Sequence, residues 1–463
     1  MNTATLSKKN NFIPDFEIYE NEILRNSSPH IREIRKKAIA GFEKLGIPTK
    51  RHEEWKYTYI NATLSNDYSP TPALPKGRES QRLKSPLLTA NDIYPLLIPG
   101  LDAYIAVVEN GRFITPLSNC EIKNGINISS FAKAISPENH AGRDLQSRPK
   151  NEITEKHFSR YADINSDAFI ALNTAYAQDG AFIFIPDGVT VDKPIHVVNI
   201  IRTPENLFVQ PRNLFVIGKN SRVQIIESFS VQCNAHVKIF TNAVTEIICG
   251  ENSNSDHYII QNESGDAVRV SATQVYQEEN SVFSNNTITL NGALVRNNLN
   301  IVPDAEGCES YLYGLYLLKG KQHVDNHTLI DHKKPNCYSN ELYIGIMDDK
   351  STGVFNGKVH VRKDAQKTNA YQSNKNILLT DDATINTKPQ LEIYADDVKC
   401  SHGATTGQLD RESLFYLRSR GIGEEKARAM LMAAFTSEII DKIKIEPLRH
   451  KLDKLIYDEA EIT

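Results

Sequence analysis

The stretch Leu214-Phe-Val-Ile-Gly-Lys-Asn-Ser-Arg-Val-Gln-Ile-Ile226 decides the class of fold. It holds two short apolar runs on either side of the polar corner Gly218-Lys219-Asn220. Apolar runs of this length, bounded by glycine and asparagine, are typical of buried β-strands. Runs and corners of the same kind recur from residue 181 to residue 400, with almost no helical periodicity between them. The sequence therefore predicts a mainly β protein with one large strand-rich region.

The length of this region limits the architectures that it can adopt. More than 200 residues of short strands are too many for one small barrel. Two solutions remain, a parallel β-helix of stacked coils or a pair of β-sandwiches. Further corners rich in Asn, Gly and Asp occur at Asp187-Gly188, Gly250-Glu251-Asn252 and Asn291-Gly292, with few long loops between them. These corners favour the parallel β-helix.

The part of the chain before the strands has a different, mostly helical pattern. A helix is predicted to begin at Ser28, an N-cap that is followed by proline, and to end at Gly46. The single tryptophan, Trp55, is interpreted as an anchor in the core or between domains, because an indole buries a large area. Residues 69–80 are rich in Pro, Ser and Gly and are predicted to form a mobile connector. Together these features define a predicted N-terminal domain, residues 1–150.

The end of the chain returns to helical spacing. Residues 410–420 predict a helix that Gly421 ends, and residues 424–444 predict a second, amphipathic helix. Pro447 is expected to break this helix, and a last short amphipathic set of turns follows. The predicted division of the rest of the chain is a β-helix domain, residues 151–405, and a C-terminal helical domain, residues 406–463. These helices either cap the open end of the β-helix or dock a partner.

Composition excludes several classes of protein. The formal net charge is −4, which argues against a nucleic-acid-binding surface. No apolar run is long enough to span a membrane, and residues 1–16 do not resemble a secretory signal. Six cysteines are scattered without paired spacing, as expected of reduced thiols in a cytoplasmic protein. Neither Gly314–Lys319 nor Gly353–Lys358 fits a phosphate-binding loop, so we expect no nucleotide hydrolysis by this chain.

A thiol and an imidazole lie two residues apart where the strand-rich region ends. If the segment 396–407 is extended, Cys400 and His402 project to the same face, because strand side chains alternate. Both groups bind soft or borderline metals. Two ligands do not complete a metal site, which usually needs three or four. The sequence therefore predicts a half-site that another segment or a second chain completes.

Three further histidines lie close together in the sequence. His323 and His327 are predicted to share one face of a strand, while His332 points to the other face. We therefore interpret all three as hydrogen-bonded or solvated side chains rather than as a metal cluster. Cys308 and Cys337 have no partner at metal-ligand spacing and are expected to pack in the core.

Four segments of the chain have a distinctive sequence: Glu54-Trp-Lys-Tyr-Thr58, Phe169-Ile-Ala-Leu-Asn-Thr-Ala-Tyr-Ala-Gln-Asp-Gly-Ala181, Asp397-Val-Lys-Cys-Ser-His-Gly-Ala-Thr405 and Phe415-Tyr-Leu-Arg-Ser-Arg-Gly-Ile422. Together they resemble one known family, the SufB/SufD subunits of the SUF iron–sulfur cluster assembly scaffold. Within this family the match is to SufD rather than to SufB, whose cysteine in the stretch corresponding to residues 372–376 is absent here.

The resemblance implies a fold, a set of partners and a site. The fold is a right-handed parallel β-helix between an N-terminal helical (α/β) domain and a C-terminal helical domain. SufD is expected to pair with SufB through the β-helix and to bind the ATPase SufC through its tail helices. In this chain the docking residues would be Phe415, Tyr416, Leu417, Met430 and Phe435.

The site implied by the resemblance holds a transient iron–sulfur cluster that is shared with SufB. His402 matches the histidine of that site and would be the metal ligand, and we assign Cys400 to the same cluster-assembly site. Reduced flavin is a possible cofactor of the complex, and a homodimer is possible for the isolated chain. The chain itself is expected to be a non-catalytic scaffold subunit.

An enzyme that acts on polysaccharides is the alternative function, because many β-helices cleave sugar chains with surface carboxylates. Such hydrolysis needs two carboxylates that face one sugar. The adjacent pairs Asp381-Asp382 and Asp396-Asp397 would each split onto opposite faces of a strand. The residues therefore favour the scaffold.

Overall fold

The computed structural model describes residues 27–61, 64, 68–70, 88–119, 124–136, 148–234, 236–263 and 266–462. Strands make up 43% and helices 23% of the structure, so the prediction of a mainly β protein is confirmed. Most of the predicted connector, residues 71–80, lies outside the described residues, as do residues 1–16 and Cys120. Ser69 and Pro70, at the start of that stretch, form a two-residue strand.

Two long sheets contain the described strands, one of 11 strands and one of 10. The strands are β1 Ser69–Pro70, β2 Tyr104–Glu109, β3 Arg112–Phe113, β4 Asn127–Ser130, β5 Ala181–Ile185, β6 Ile195–Ile201, β7 Leu207–Val209, β8 Arg212–Ile217, β9 Arg222–Val231, β10 Ile239–Cys249, β11 Asn254–Asn262, β12 Val268–Gln277, β13 Val282–Asn291, β14 Leu294–Pro303, β15 Glu309–Leu318, β16 His323–His332, β17 Tyr338–Met347, β18 Thr352–Val361, β19 Asn369–Leu378, β20 Thr384–Ile393 and β21 Lys399–Gly407.

Helices precede and follow the sheets. The α-helices are α1 Pro29–Leu45, α2 Ala90–Ile93, α3 Phe131–Ala134, α4 Arg148–His157, α5 Ala168–Tyr176, α6 Arg411–Ser419, α7 Glu424–Ile440 and α8 Glu446–Ile462, and short 3-10 helices span Glu53–Trp55, Tyr94–Leu96 and Thr115–Leu117. The first helix begins and ends as predicted, since the Ser28 hydroxyl accepts from the Ile31 N–H and the Gly46 N–H donates to the Phe42 carbonyl. No helix among the described residues is long and apolar enough to cross a membrane.

The strands from β5 to β21 form a solenoid of about 8 turns, which confirms the parallel β-helix and excludes the sandwich pair. From β8 onward they alternate along the chain between the two sheets, and each pairs in parallel with the strand of the next coil. Asparagines turn successive corners with a left-handed backbone: Asn220, Asn252 and Asn280 have φ of 55°, 55° and 54°. Asparagine tolerates this conformation better than most side chains do, so the polar corners are a cause of the coil rather than a by-product.

Several strands were not predicted from apolar runs, notably β14, β16 and β18. The inward faces of β14 and β16 carry polar residues that bond one another inside the solenoid, and the inward face of β18 carries two glycines, Gly353 and Gly357. Asn297, for example, bonds the side chains of Gln261 and Asn326 in neighbouring coils. Stacked coils place like side chains on top of each other, so a buried amide finds partners above and below. Hydrophobic periodicity is therefore weak in the sequence of these strands.

The N-terminal segment packs against the outer face of the larger sheet. Trp55 is 7% exposed, lies 5.2 Å from the Phe169 ring and covers the Arg296 guanidinium at 3.9 Å. Arg296 also donates to the Asp325 carboxylate and to the backbone oxygen of Glu54. These contacts confirm that Trp55 is an anchor between the N-terminal segment and the solenoid.

The tail differs from the sequence prediction in two respects. The second helix ends at Ile440 rather than at residue 444, and the region after Pro447 is a full helix, α8, instead of a short set of turns. Proline is compatible with the first turn of a helix, where its missing N–H has no partner to lose. The buried face of α7 carries Ala429, Met432 and Ile439, whereas Met430 is 38% exposed.

The tail helices do not cap the end of the solenoid. Together α7 and α8 bury an apolar cluster against the outer face of β11, β13, β15 and β17, which includes Tyr258, Ile288, Leu315 and Ile344. Ion pairs at the rim join Lys375 to Glu438 at 2.6 Å and Lys444 to Asp256 at 2.6 Å. The capping alternative is therefore wrong, because the sheet flank offers a larger apolar surface than the end of the column.

Candidate functional site at the open end of the solenoid

The last coil has two strands with free edges. β20 ends the 11-stranded sheet and pairs only with β18, while β21 ends the 10-stranded sheet and pairs only with β19. Within the described chain no further strand covers either edge. Unpaired edges present N–H and C=O groups that a neighbouring strand can bind. We call this pair of strands the open end.

Cys400 and His402 both lie on β21, as the sequence predicts, and share one face of it. Their register partners on β19 are Ala370 and Gln372, which are 0% and 3% exposed. Since side chains in register stack along a solenoid, both residues face its interior. They are nevertheless accessible, because no coil lies beyond them.

The two side chains differ in their surroundings. Cys400 is half-buried against an apolar cluster that includes Val359 and Val361. Burial raises the pKa of its thiol, while the backbone at Ala370 partly offsets the effect. His402 is exposed, and its ring has no hydrogen bond to any described residue. The pair therefore offers one shielded thiol and one imidazole with free coordination capacity.

A buried polar cluster lies directly behind His402. Gln372 donates from Nε2 to the Glu341 carboxylate at 2.7 Å, and the Thr328 hydroxyl donates to the other carboxylate oxygen at 2.5 Å. Burial raises the pKa of Glu341 to about 7, against the opposing effect of these two hydrogen bonds. Sequence reasoning missed this cluster. The one signal was spacing, since residues 341, 372 and 402 are separated by 31 and 30 positions, close to one coil.

The three neighbouring histidines have ordinary partners. His323 contacts the Thr58 hydroxyl at 2.9 Å, and His327 pairs with Asp325 at 2.9 Å, both outside the solenoid. His332 points inward to the Ser339 hydroxyl at 2.9 Å. The predicted division of faces is confirmed, and among the described residues no group of three or more potential ligands could hold a metal ion.

The candidate docking residues on the tail do not all lie on one surface. Phe415 and Tyr416 on α6 are 75% and 57% exposed, and with Leu417 they line a groove of about 850 Å³. Met430 on α7 is partly exposed nearby in the sequence. Phe435 instead packs against the apolar cluster beneath α7. Exposed aromatics on a short helix are unusual unless something covers them.

The structure also locates the carboxylate pairs and the glycine segments that were considered for sugar cleavage and phosphate binding. Asp381-Asp382 and Asp396-Asp397 are exposed at two corners of the last coils rather than within strands. Gly314 and Gly353 lie inside β15 and β18, so neither begins a loop that could wrap a phosphate.

Fold and site together define a class: a parallel β-solenoid with helical segments before and after it, whose last coil leaves a thiol and an imidazole uncovered. Comparison with known proteins supplies the family. Residues 6–197 match the SufBD protein N-terminal region, and residues 199–435 match the SUF system FeS cluster assembly SufBD core domain. The chain belongs to the SufBD family of iron–sulfur cluster assembly proteins.

Individual relatives cover most of the chain. An iron–sulfur cluster assembly SufBD family protein of Synechocystis sp. is 33% identical over 420 residues, covering 89% of this chain and 87% of the relative. The iron–sulfur cluster assembly protein SufD of Escherichia coli is 28% identical over 416 residues, with 88% of each chain covered. The chloroplastic protein ABCI7 of Arabidopsis thaliana is 30% identical over 354 residues, covering 73% of this chain and 74% of the relative.

Proposed function

We propose that this chain is a SufD-type scaffold subunit that supplies one half of a site for iron–sulfur cluster assembly. The other half comes from a SufB-type sister chain. One observation carries the proposal: the inward-facing Cys400 and His402 are left uncovered at an end that has two free strand edges. A sister solenoid that pairs with these edges would enclose both side chains and add the missing ligands.

The chemistry of the two residues suits a nascent cluster as cargo. A neutral imidazole is a borderline ligand for iron, and a cysteine thiolate is the usual ligand of iron–sulfur clusters. Because burial raises the pKa of the Cys400 thiol, that residue is the weaker ligand at neutral pH, and a metal ion must displace its proton. His402 is therefore the primary metal ligand in this proposal, and Cys400 assists it. The cluster is held transiently because the half-site is incomplete by itself.

The tail provides the second partner surface. Phe415, Tyr416 and Leu417 line a groove that is suited to an ATPase partner of the SufC type, and Met430 on α7 is a further exposed apolar residue of the tail. Phe435 supports α7 from below rather than contacting that partner. ATP hydrolysis belongs to the partner, and this chain acts in the cytoplasm without catalysing a reaction. A reduced flavin is part of the expected complex, and a homodimer through the open end is expected for the isolated chain.

The first test replaces the imidazole. In cells that depend on this chain, His402→Ala is expected to lower maturation of an iron–sulfur enzyme while the purified chain stays folded, because the side chain is exposed. Ser401→Ala, the outward neighbour on β21, is the matched control. Normal maturation with His402→Ala would contradict the assignment.

The second test separates a half-site from a complete one. Anaerobic reconstitution with iron and sulfide is followed by visible absorption, first with the chain alone and then with its sister chain. A stoichiometric cluster is expected only in the mixture. A stable cluster on the isolated chain would mean that Cys400 and His402 do not need a second polypeptide.

A further inference from the structure

Three inward-facing residues are stacked behind one another at the open end. Glu341 on β17 is in register with Gln372 on β19, which is in register with His402 on β21. One coil further into the solenoid the same position is Leu312, so the polar column is limited to the last three coils. Glu341 is 1% exposed and has no cationic partner among the groups that affect it. A buried carboxylate without a counter-charge is costly and needs a reason.

The orientation of the Gln372 amide is fixed by its contact with Glu341. Both carboxylate oxygens accept hydrogen bonds, one from Gln372 Nε2 at 2.7 Å and one from the Thr328 hydroxyl at 2.5 Å. An ionised carboxylate can only accept, so above the pKa of Glu341 it binds the NH₂ side of the amide, and the Gln372 oxygen points elsewhere. That oxygen is buried and has no partner among the described residues, although Gln372 is only 3% exposed. Leaving a buried acceptor unpaired costs about 1–3 kcal/mol.

His402 is in register with Gln372 on the next strand and makes no hydrogen bond with a described residue, so its ring can supply the missing donor if it turns toward that oxygen. Adjacent coils lie about 4.8 Å apart, within reach of an amide oxygen and an imidazole that extend from neighbouring rungs. We propose that Gln372 and Glu341 are positioning residues for His402: the Gln372 oxygen accepts from one ring N–H of His402, and Glu341 holds the amide in the orientation that makes this possible. The inference rests on the proposed function, in which His402 is a metal ligand. The contact between Gln372 and His402 can be tested without any cluster.

This arrangement selects one tautomer of the imidazole. With one ring nitrogen protonated and held by Gln372, the other carries a lone pair and is directed toward the open end. That nitrogen is then ready to bind an iron ion of the cargo without first rotating or losing a proton. Ligating histidines commonly depend on such a partner, whose loss typically lowers metal affinity or activity about 10–100-fold.

The test reads the tautomer directly in the full-length apo chain. The protein is prepared with ¹⁵N-labelled histidine, and the His402 signals among its 13 histidines are assigned by difference with His402→Asn. Spectra are recorded at pH 8, and the two ring-nitrogen shifts report which nitrogen carries the proton. We expect well-separated signals in the wild type, as for one dominant tautomer. Gln372→Met, which keeps the volume but removes the acceptor, is expected to move the two signals toward each other.

Two further variants keep the test decisive. Glu341→Met removes the acceptor that orients the amide while keeping a similar volume, and it is expected to shift the His402 signals in the same direction, even if Gln372→Met fails to fold. Tyr371→Phe, on the outward face beside Gln372, is the matched control and should leave them unchanged. Unchanged His402 signals in both the Gln372 and the Glu341 variant would overturn the proposal and show that the Gln372 oxygen contacts only water.

The cellular readout separates this inference from the proposed function. If Gln372 positions the His402 ring and His402 is a ligand, Gln372→Met lowers maturation of an iron–sulfur enzyme about 10-fold or more. If the tautomer shifts as expected but His402→Ala matures enzymes normally, the positioning stands and the ligand role fails. If His402→Ala lowers enzyme maturation while the Gln372 and Glu341 variants leave the His402 ring signals unchanged, the ligand role stands and the positioning role fails.

Discussion

At the scale of single residues, the open end combines groups that differ in how tightly the fold constrains them. His402 is exposed and makes no hydrogen bond with a described residue, whereas Cys400 is held by an apolar cluster. Glu341 is costly for stability, because its carboxylate is buried with no cationic partner among the described residues. A residue that lowers stability at a candidate site is expected where function and folding compete.

The cost of Glu341 can be measured through its dependence on pH. Burial raises its pKa from 4.5 to about 7, so the folded state holds the proton more tightly than the unfolded state does. Its favourable contribution is therefore complete below pH 4.5 and is lost as the pH rises through about 7. Since each pKa unit is worth about 1.4 kcal/mol, the penalty at pH 8 is about 3 kcal/mol.

Glu341→Gln is accordingly expected to be as stable as the wild type below pH 4.5 and more stable by up to about 3 kcal/mol at pH 8. Urea unfolding of both proteins at the two pH values gives the difference. Glu425→Gln, an exposed position on α7, serves as the control and should change stability little at either pH. A variant less stable than the wild type at pH 8 would contradict the sign of this argument.

At the scale of elements, the tail helices differ in whether they pack against the solenoid or are exposed to solvent. α7 and α8 bury their apolar faces on the flank of the solenoid, and Ile439 is 0% exposed there. α6 instead has no buried residue and presents two aromatic rings to solvent. Because α6 contributes little to the core, its surface is free to change for binding without a loss of stability.

Substitutions on these helices should therefore separate binding from folding. The double variant Phe415→Ser with Tyr416→Ser is expected to lose affinity for the ATPase partner while its unfolding free energy stays within about 0.5 kcal/mol of the wild type. Ile439→Ala is expected to lower that free energy by about 2–5 kcal/mol, as for other large-to-small changes in a core. Binding is measured by calorimetry and stability by denaturant unfolding. Unchanged ATPase binding by the double variant would place the docking surface elsewhere.

At the scale of the whole molecule, the solenoid is a column whose two sheet flanks are covered by the N-terminal segment and the tail helices, and one end is left open. The N–H of Lys399 donates to the Thr368 carbonyl, so the backbone groups of odd-numbered residues of β21 bond to β19. The backbone N–H and C=O groups of even-numbered residues therefore point to the free edge, while their side chains face the interior. Edge pairing with a second chain would use the even-numbered backbone groups. The backbone, and not only the side chains, therefore predicts where a partner binds.

Proline at a free-edge position should block such pairing without unfolding the coil. Ala404→Pro removes an N–H that has no ladder partner in this chain, and it is expected to abolish assembly with the sister chain while circular dichroism stays unchanged. Thr405→Pro, one residue on, removes a bond to β19 and is expected to destabilise the last coil. Assembly is measured by size-exclusion chromatography with light scattering. Normal assembly of Ala404→Pro would exclude pairing through β21.

The position of the tail also predicts the outcome of a deletion. Removal of everything after Gly407 would uncover the apolar flank that α7 and α8 bury, including Tyr258 and Leu315. The truncated chain is therefore expected to aggregate rather than to persist as a folded β-region. Expression followed by centrifugation and light scattering tests this. A monodisperse truncated protein would mean that the helices contribute little to the folded state.

The amino-acid sequence alone determined the local features of this protein. Corner residues such as Asn220, the N-cap at Ser28, the end of α6 at Gly421 and the placement of Cys400 and His402 on one strand face follow from backbone preferences that act within a few residues. The registers that stack Glu341, Gln372 and His402, and the choice of the sheet flank by the tail helices, were decided only in three dimensions. These features depend on contacts between residues that are a coil or more apart. A polar inward side chain has no periodicity in the sequence that reveals its partners, whereas the stacked coils bring those partners together.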